Sequence, residues 1–200
     1  FYPLFGDAPL ARIHFTVRTK TGSGIPEFDA AALEVRLAQA GRRWQDEVHA
    51  ALLERCGEER AARLYRRYAG AFPAGYREDY SARLAVHDIE MIEQLAQQSS
   101  DAAPGLGLSL YRRLEAQPEQ LHFKLFHAGG PVPLSDSLPM LEHMGVRVQD
   151  EHPYRITPLD AVPVWIHDFS MSCDAGPDLA LDQVKAIFED TFAQVWRGAA

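Results

Sequence analysis

The sequence has little cysteine, little lysine and no long apolar run. Its 200 residues include two cysteines, Cys56 and Cys173, and neither belongs to a CxxC pair. This usage argues against a disulfide framework and is typical of a chain kept in a reducing cytoplasm. The longest apolar runs, such as Ala161 to Ile166, are too short to cross a bilayer. The sequence therefore predicts a cytoplasmic protein with no membrane partner.

Acidic residues outnumber basic ones, with 28 Asp and Glu against 20 Lys and Arg, and the formal net charge is −8. Nucleic-acid binding depends on neutralising phosphates, so we expect no nucleic-acid partner. The Arg42-Arg43 and Arg66-Arg67 pairs lie among acidic residues and are typical of a solvated helix surface. A hydrophobic fraction of 46% is ordinary for a globular chain. The chain begins at Phe1 without a methionine, which predicts a piece of a longer protein.

The first half of the sequence is mainly helical. Alternation over Arg12–Arg18 predicts one strand, with Ile13, Phe15 and Val17 on one face. Apolar residues then recur at helical spacing, which predicts helices over 27–56, 58–72 and 84–97. The expected inward residues are Leu33, Leu37, Trp44, Val48 and Leu52, then Ala62, Tyr65, Tyr68 and Ala69, then Ile89, Ile92 and Leu95. A loop-like composition over Gln97–Gly107 marks the best internal boundary.

The second half has a different period. Alternation over 108–112 and 121–127 predicts a hairpin. A helix over 135–144 follows, with Pro139 near its first turn. Strands over 146–149 and 154–156, broken at Pro153, come next. A strand over 162–171 and a helix ending at Arg197 complete the chain. This order, βαββα, predicts an α+β, ferredoxin-like fold with an antiparallel sheet and two helices on one face. The last strand of that fold is missing; residues 108–112 could fill its edge, or the edge stays open. We expect Phe123 or Leu125, Leu138, Ile166 and Phe188 to meet in one interior.

Several segments carry a family resemblance. They are FGDAPLARIHFTVRT, AFPAGYREDY, LHFKLFHAGGPVPLSDSLPMLEHMGVRVQDEHPYRI and VWIHDFSM. Together they resemble the large bacterial NAD-specific glutamate dehydrogenases, whose long N-terminal region carries ACT-like modules and whose separate C-terminal region holds the dehydrogenase. The resemblance implies that residues 1–105 are the later part of one ACT-like module with a helical extension. Residues 106–200 would be a second ACT-like module lacking its last strand.

The resemblance also implies a role. The longer enzyme would convert glutamate to 2-oxoglutarate and ammonia with NAD, and this chain would be its non-catalytic regulatory or scaffolding region. Its partners would be sister modules and the catalytic region of the same chain, within a homo-oligomer, with an amino-acid effector as a candidate ligand.

No catalytic residue or cofactor site is expected within these residues. Gly105-Leu106-Gly107 lacks a third glycine, and Gly129-Gly130 runs into Pro131, so neither matches a dinucleotide-binding turn. The three lysines have no glycine-rich neighbours that would place them in a dehydrogenase site: Lys20, Lys124 and Lys185. NAD is therefore expected for the parent enzyme alone.

Gly129, Gly130 and Asp136 are the candidate effector-binding residues. ACT modules commonly bind amino acids between the first strand and the first helix, where these residues fall. Turn chemistry explains the two glycines equally well. For Asp136 a helix cap, with a charge that also suits the helix dipole, is the favoured explanation.

The alternative function is a metal-dependent or hydrolytic site around His167 and Asp168, joined by Asp136. The eight histidines show no HExxH spacing, so no metal site is expected from motifs. If Trp165 and Phe169 share a face with His167, a hydrogen-bonded, half-buried structural histidine is favoured. His122 and His127 fall on opposite faces of one strand and cannot bind one ion together.

Overall fold

The structure is a computed structural model that describes residues 2–4, 12–14, 29–34, 43–98, 105–113, 120–173 and 181–198. Contacts divide the chain into two compact units, residues 1–42 and 43–200. In the first unit, β1 (Tyr2–Leu4) pairs with β2 (Arg12–His14) in an antiparallel ribbon. The predicted strand thus starts at Arg12 as expected, and its remainder lies outside the described residues. A helical segment, α1, covers 30–34, where Asp29 Oδ1 accepts a hydrogen bond from the Ala31 N–H at 2.9 Å.

The second unit begins with a layer of four helices. They are α2 (Trp44–Cys56), α3 (Glu58–Tyr68), α4 (Ala74–Asp79) and α5 (Ala82–Gln98). The single helix predicted over 27–56 is wrong, because Arg43 is extended and α2 starts after it. Gly57 ends α2 as predicted, with φ +76°, a backbone conformation that favours glycine. The predicted break at Phe72-Pro73 is confirmed, although α3 already ends at Tyr68 and α4 starts directly after extended Pro73.

The predicted helix faces are partly correct. Val48 and Leu52 of α2 are buried, and so are the three isoleucine and leucine positions predicted for α5. In α3 the buried stripe is Ala61, Leu64 and Tyr68, and Ala62 is exposed. Leu33, predicted to face inward, is exposed. A helical period fits several offsets in a short helix, so the buried face depends on what packs against it.

A four-stranded antiparallel sheet and two helices complete the second unit. The strands are β3 (Leu106–Tyr111), β4 (Gln120–Ala128), β5 (Val146–Ile156) and β6 (Val164–Cys173); the helices are α6 (Leu134–His143) and α7 (Leu181–Trp196). The strand order is β3-β4-β6-β5. The hairpin β3-β4 is confirmed, and β3 fills the edge beside β4 that the missing last strand would occupy. The predicted α+β, ACT-like class is confirmed.

Two prolines lie differently from expectation. Pro153 does not break β5: it pairs with His167 in a strand at the sheet edge, where a missing N–H is tolerated. The strand instead has a bulge between Val148 and Asp150. Pro139 lies inside α6 rather than in its first turn.

Both faces of the sheet are buried. Phe123, Leu125 and Phe169 pack on one face with Leu141 of α6 and Phe192 of α7. Alternation sends the next side chains, Phe126, Ile156, Val164 and Ile166, to the other face, where they share a core with the α2–α5 layer. The predicted single interior is therefore wrong for Ile166, which pairs with Phe126 on the opposite face from Leu138 and Phe188. The second unit has three layers: helices, sheet, helices.

The helical layer is also joined to the loop between β5 and β6. The Thr157 N–H donates to the Ala71 carbonyl at 3.1 Å, and the Leu159 N–H donates to the Arg67 carbonyl at 2.9 Å. These bonds satisfy the Arg67 carbonyl in the last turn of α3 and the Ala71 carbonyl after it, so they join the loop to the helical layer.

Candidate functional site

The predicted effector residues lie at the connection between β4 and α6. Gly129 has φ +92°, and its N–H donates to the Pro163 carbonyl at 2.9 Å. The Gly130 carbonyl lies 2.8 Å from His127 Nδ1. Turn geometry therefore accounts for Gly129. Whether a ligand approaches this turn stays a prediction.

Asp136 lies in the first turn of α6 and is exposed. The residue preceding the helix is Pro133, and no side chain caps it, so the cap interpretation of Asp136 is wrong. The carboxylate instead accepts from Ser135 Oγ at 3.1 Å. Its negative charge still lies where the helix dipole favours it.

His167 and Asp168 point to opposite faces of β6, because neighbouring residues of a strand alternate. His167 Nε2 accepts the Val132 N–H at 3.1 Å, so the proton is on Nδ1, which faces Glu151 Oε1 at 2.7 Å. The imidazole ring stacks with Trp165 and Phe169, as predicted for a structural histidine. It is buried rather than half-buried. No group of three metal-ligating side chains occurs within the described ranges.

Replacing His167 with phenylalanine is expected to lower the free energy of unfolding by about 1–3 kcal/mol, since the buried Val132 N–H loses its acceptor while the ring volume stays. Urea unfolding of the 200-residue chain measures this. His152→Phe is the matched control, because His152 is exposed on β5, and we expect a change within about 0.5 kcal/mol. Equal effects of the two variants would contradict the structural role.

A buried ion pair joins the helical layer to the sheet. Lys124 Nζ of β4 lies 2.5 Å from Asp88 Oδ2 of α5, and both residues are almost completely buried. Tyr76 of α4 donates its hydroxyl to the same Asp88 oxygen at 2.5 Å. The Lys124 ammonium also lies 3.9 Å from the centre of the Tyr80 ring, a cation–π contact. Burial, and then the charge of Asp88, raises the pKa of Tyr76 well above its ordinary value.

Asp168 extends the polar cluster on the same sheet face. Its Oδ2 accepts hydrogen bonds from the hydroxyls of Tyr80 and Tyr111, the latter at 2.9 Å. Arg113 and His122 lie 3.6 and 3.7 Å from that oxygen. Burial alone would raise the pKa of Asp168, but His122, Tyr80 and the charge of Lys124 outweigh burial and lower it.

The lowered pKa of Asp168 predicts an acid-sensitive contribution to stability. A carboxylate with a depressed folded pKa stabilises the fold above its unfolded value, near 4, and loses that contribution as pH falls through the folded pKa. Asp168→Asn cannot titrate, so the stability difference between wild type and variant should narrow between pH 6 and about pH 3. Urea titrations at several pH values measure it. A difference that stays constant with pH would contradict this assignment.

Sequence reasoning missed this polar cluster. The sequence places Lys124 on a strand, but a sheet with helices on one face only would leave its side chain in solvent. The signal available was a lysine between the apolar Phe123 and Leu125, opposite Asp168 in the β4–β6 register. Tyr76 and Tyr80 lie in the AFPAGYREDY segment, which contributed to the resemblance without a chemical role.

What the cluster can do is hold two layers together. The Lys124 ammonium is enclosed by Asp88 and the tyrosine rings, and the residue is buried. Lys185 lies on the surface of α7, 3.9 Å from Glu189. The fold and cluster thus define an ACT-type α+β unit joined through buried charges to a layer of helices.

Three family models match successive parts of the chain. The ACT3 domain of glutamate dehydrogenase matches residues 105–184, helical motif 2 matches 51–95, and the ACT2 domain matches 1–45. The chain is 41% identical over its whole length to an NAD-specific glutamate dehydrogenase of Halomonas elongata and 36% identical to one of Pseudomonas aeruginosa. A third, from Mycobacterium tuberculosis, is 32% identical over 96% of the chain.

The chain belongs to the NAD-specific glutamate dehydrogenase family, as the sequence resemblance predicted. It spans about 12% of the length of these relatives. Among the described residues, no helix is long and apolar enough to span a membrane.

Proposed function

We propose that the chain is a non-catalytic regulatory and scaffolding region of an NAD-dependent glutamate dehydrogenase. The longer enzyme would oxidise glutamate to 2-oxoglutarate and ammonia, with NAD bound by its catalytic region. The observation that supports this most is the sheet buried on both faces, with Lys124 and Asp88 joining the ACT-type sheet to the helical motif. Such a joined pair of modules suits the transmission of a shift in one layer to the other.

The local chemistry supports the non-catalytic part of the proposal. A dinucleotide site needs a glycine-rich turn that leads from a strand into a helix N-terminus. Gly129 and Gly130 are followed by the Pro131–Pro133 segment before α6 begins, and Gly107 lies within β3. The Lys124 ammonium is paired with the Asp88 carboxylate, so it is not placed to polarise the carbonyl of a substrate.

The proposed partners are the sister modules and the catalytic region of the same chain, in a homo-oligomer. Large apolar side chains that remain exposed support such contacts: Leu159, Val162 and Ile187. An amino-acid effector at Gly129, Gly130 and Asp136 remains part of the proposal. Free Cys56 and Cys173 fit a cytoplasmic setting.

The test uses the full-length enzyme. Lys185→Met, Asp136→Asn and His167→Phe are each expected to keep kcat for glutamate oxidation within about twofold, since none would touch the reacting atoms. Size-exclusion chromatography checks assembly. A loss of about a thousandfold in kcat with unchanged assembly would place a catalytic residue in this chain and end the proposal.

Asp136→Asn also tests the regulatory part. If an amino-acid effector binds at the β4–α6 turn, the variant should need more effector for half-maximal response, while the rate without effector stays the same. An unchanged response would remove Asp136 from the effector site.

A further inference from the structure

The connection between β4 and α6 has a single backbone donor in its middle. Residues 131–133 read Pro-Val-Pro, and proline has no N–H, so the Val132 N–H is the one backbone donor of these three residues. Val132 is 4% exposed and packs in the same core as Leu141 of α6. A buried N–H needs an acceptor, and here the acceptor is His167 Nε2 at 3.1 Å. The segment is therefore tied to the sheet through a titratable ring.

The bond between Val132 and His167 exists only while the imidazole is neutral. A backbone N–H can only donate, so Nε2 carries no proton, and the ring proton is on Nδ1, 2.7 Å from Glu151 Oε1. Histidine is the side chain whose charge changes near neutral pH. An imidazolium has a proton on both nitrogens and accepts no hydrogen bond. Protonation of Nε2 therefore replaces the bond with two N–H groups that face each other.

A second histidine holds the same connection in the opposite sense. His127 Nδ1 lies 2.8 Å from the Gly130 carbonyl oxygen, which can only accept, so this ring is the donor. Protonation of that ring leaves its bond intact. The Gly129 N–H donates to the Pro163 carbonyl at 2.9 Å, and neither group titrates. Of these three attachments, a proton breaks the one at His167.

The groups around His167 act on its protonation in opposite directions. Within the described ranges its ion-pair partner is Glu151 of β5, whose carboxylate favours the imidazolium, while burial and the Val132 N–H oppose it. The other neighbours along and across the strands are uncharged: Trp165, Phe169, Leu125 and Pro153. Further titratable or charged side chains on this face of the sheet or on α6 are partly buried His127 and exposed Asp136, Glu142, His143 and Arg155.

We propose that His167 is a proton-sensitive switch for the β4–α6 connection. The neutral ring holds Val132 against the sheet. Protonation at Nε2 releases Val132, and the Glu151 carboxylate stabilises the imidazolium that forms. Pro133 directly precedes α6 and its carbonyl accepts from the first turn of that helix, so movement of Val132 reaches the helix N-terminus. The switch is independent of the proposed regulatory function; only an effect of the release on turnover rests on that function.

Hydrogen-exchange mass spectrometry of the full-length enzyme tests the switch. Exchange is measured at about pH 7.5 and about pH 5.5, on either side of the range where histidine titrates, and each rate is divided by the intrinsic rate at that pH. Val132 should lose protection by at least about tenfold at the lower pH, because its buried N–H loses its acceptor. Gly129 should keep its protection, since its acceptor is a carbonyl. Unchanged protection of Val132 would overturn the proposal.

Two substitutions of His167 should behave in opposite ways. The side-chain oxygen of His167→Gln accepts the Val132 N–H at either pH, so protection should stay high at both. His167→Phe offers no acceptor, so protection should be low at both. His127→Gln is the matched control and should keep the wild-type pH response, because the bond it alters is one that protonation does not break. A pH response that persists in His167→Phe, or disappears in His127→Gln, would contradict the assignment.

Glu151→Gln tests the switch with the His167 ring in place, so it serves if the His167 variants assemble poorly. It removes the charge that stabilises the imidazolium, and release of Val132 should therefore need a lower pH. Release at the wild-type pH would show that another group titrates.

Turnover of the full-length enzyme is measured separately. Release of Val132 without any change in kcat, KM or the response to amino acids keeps the switch but contradicts a regulatory use of it. Regulation by amino acids that is the same in His167→Gln as in wild type, with Val132 protected at both pH values, contradicts the switch and leaves the proposed function standing.

Discussion

Replacing Lys124 with methionine is expected to lower the free energy of unfolding of the 200-residue chain by about 3–5 kcal/mol. The ammonium lies 2.5 Å from Asp88, and the Asp88 side chain is 1% exposed. Without the lysine, the carboxylate remains in the interior and keeps the Tyr76 hydroxyl as a donor but has lost its counter-charge. Removing one partner of a buried pair costs more than the pair itself contributes, because the remaining charge has lost its hydration. Urea unfolding followed by circular dichroism measures the change.

Two further variants make the Lys124 result specific. Lys185→Met removes a surface lysine 3.9 Å from Glu189, and it should change stability by less than about 0.5 kcal/mol. Adding Asp88→Asn to Lys124→Met removes the uncompensated charge and should recover part of the loss. If Lys124→Met costs no more than Lys185→Met, the two layers are not joined by a buried ion pair.

Replacing Phe126 with alanine is expected to cost about 3–5 kcal/mol, as for other large aromatic truncations in a core. Phe126 is completely buried on the sheet face that carries the α2–α5 layer. Gly107 is the partner of Phe126 on β3. A Cβ added at Gly107 would lie only 3.2 Å from the Phe126 Cβ, so this position is tightly packed. The cavity should therefore loosen the contact between sheet and helical layer. Hydrogen exchange should show faster exchange in α5 than in α7.

Phe123→Ala is the matched control for Phe126→Ala. Phe123 is equally buried, but its ring contacts Phe188 and Phe192 of α7. We expect a similar loss of stability, with the faster exchange now in α7. If both variants loosen the same helices, the sheet does not separate two cores, and the three-layer description is wrong.

The sequence was sufficient for most elements of the second unit, but not for α4, for the continuity of β5 or for the layers. Alternation in β4 and β6 assigns each side chain to a face, because that depends on the local backbone. Which faces become buried depends on distant segments. Ile166 was grouped with Phe123 and Phe188 because a fold with helices on one side offers a single interior. The helical layer supplies a second interior for Ile166 and Phe126.

The polar cluster was beyond sequence reasoning for the same physical reason. Tyr80 and Asp168 are 88 residues apart, and Lys124 and Asp88 are 36 apart. No local spacing indicates that such residues meet. The prediction that His167 is a structural histidine was correct, because its aromatic neighbours are two residues away on the same strand. Gly129 is recognisable as a turn residue from the sequence because its positive φ favours glycine.

Calorimetric titration of the folded 200-residue chain with NAD tests most directly whether this part of the enzyme lacks the active site. Cooperative urea unfolding first establishes that the sample is folded. We predict no saturable heat, because no described turn supports a pyrophosphate at a helix N-terminus. Saturable binding of one NAD per chain, lost when Gly129 or Gly130 is replaced by valine, would contradict the assignment as a non-catalytic region.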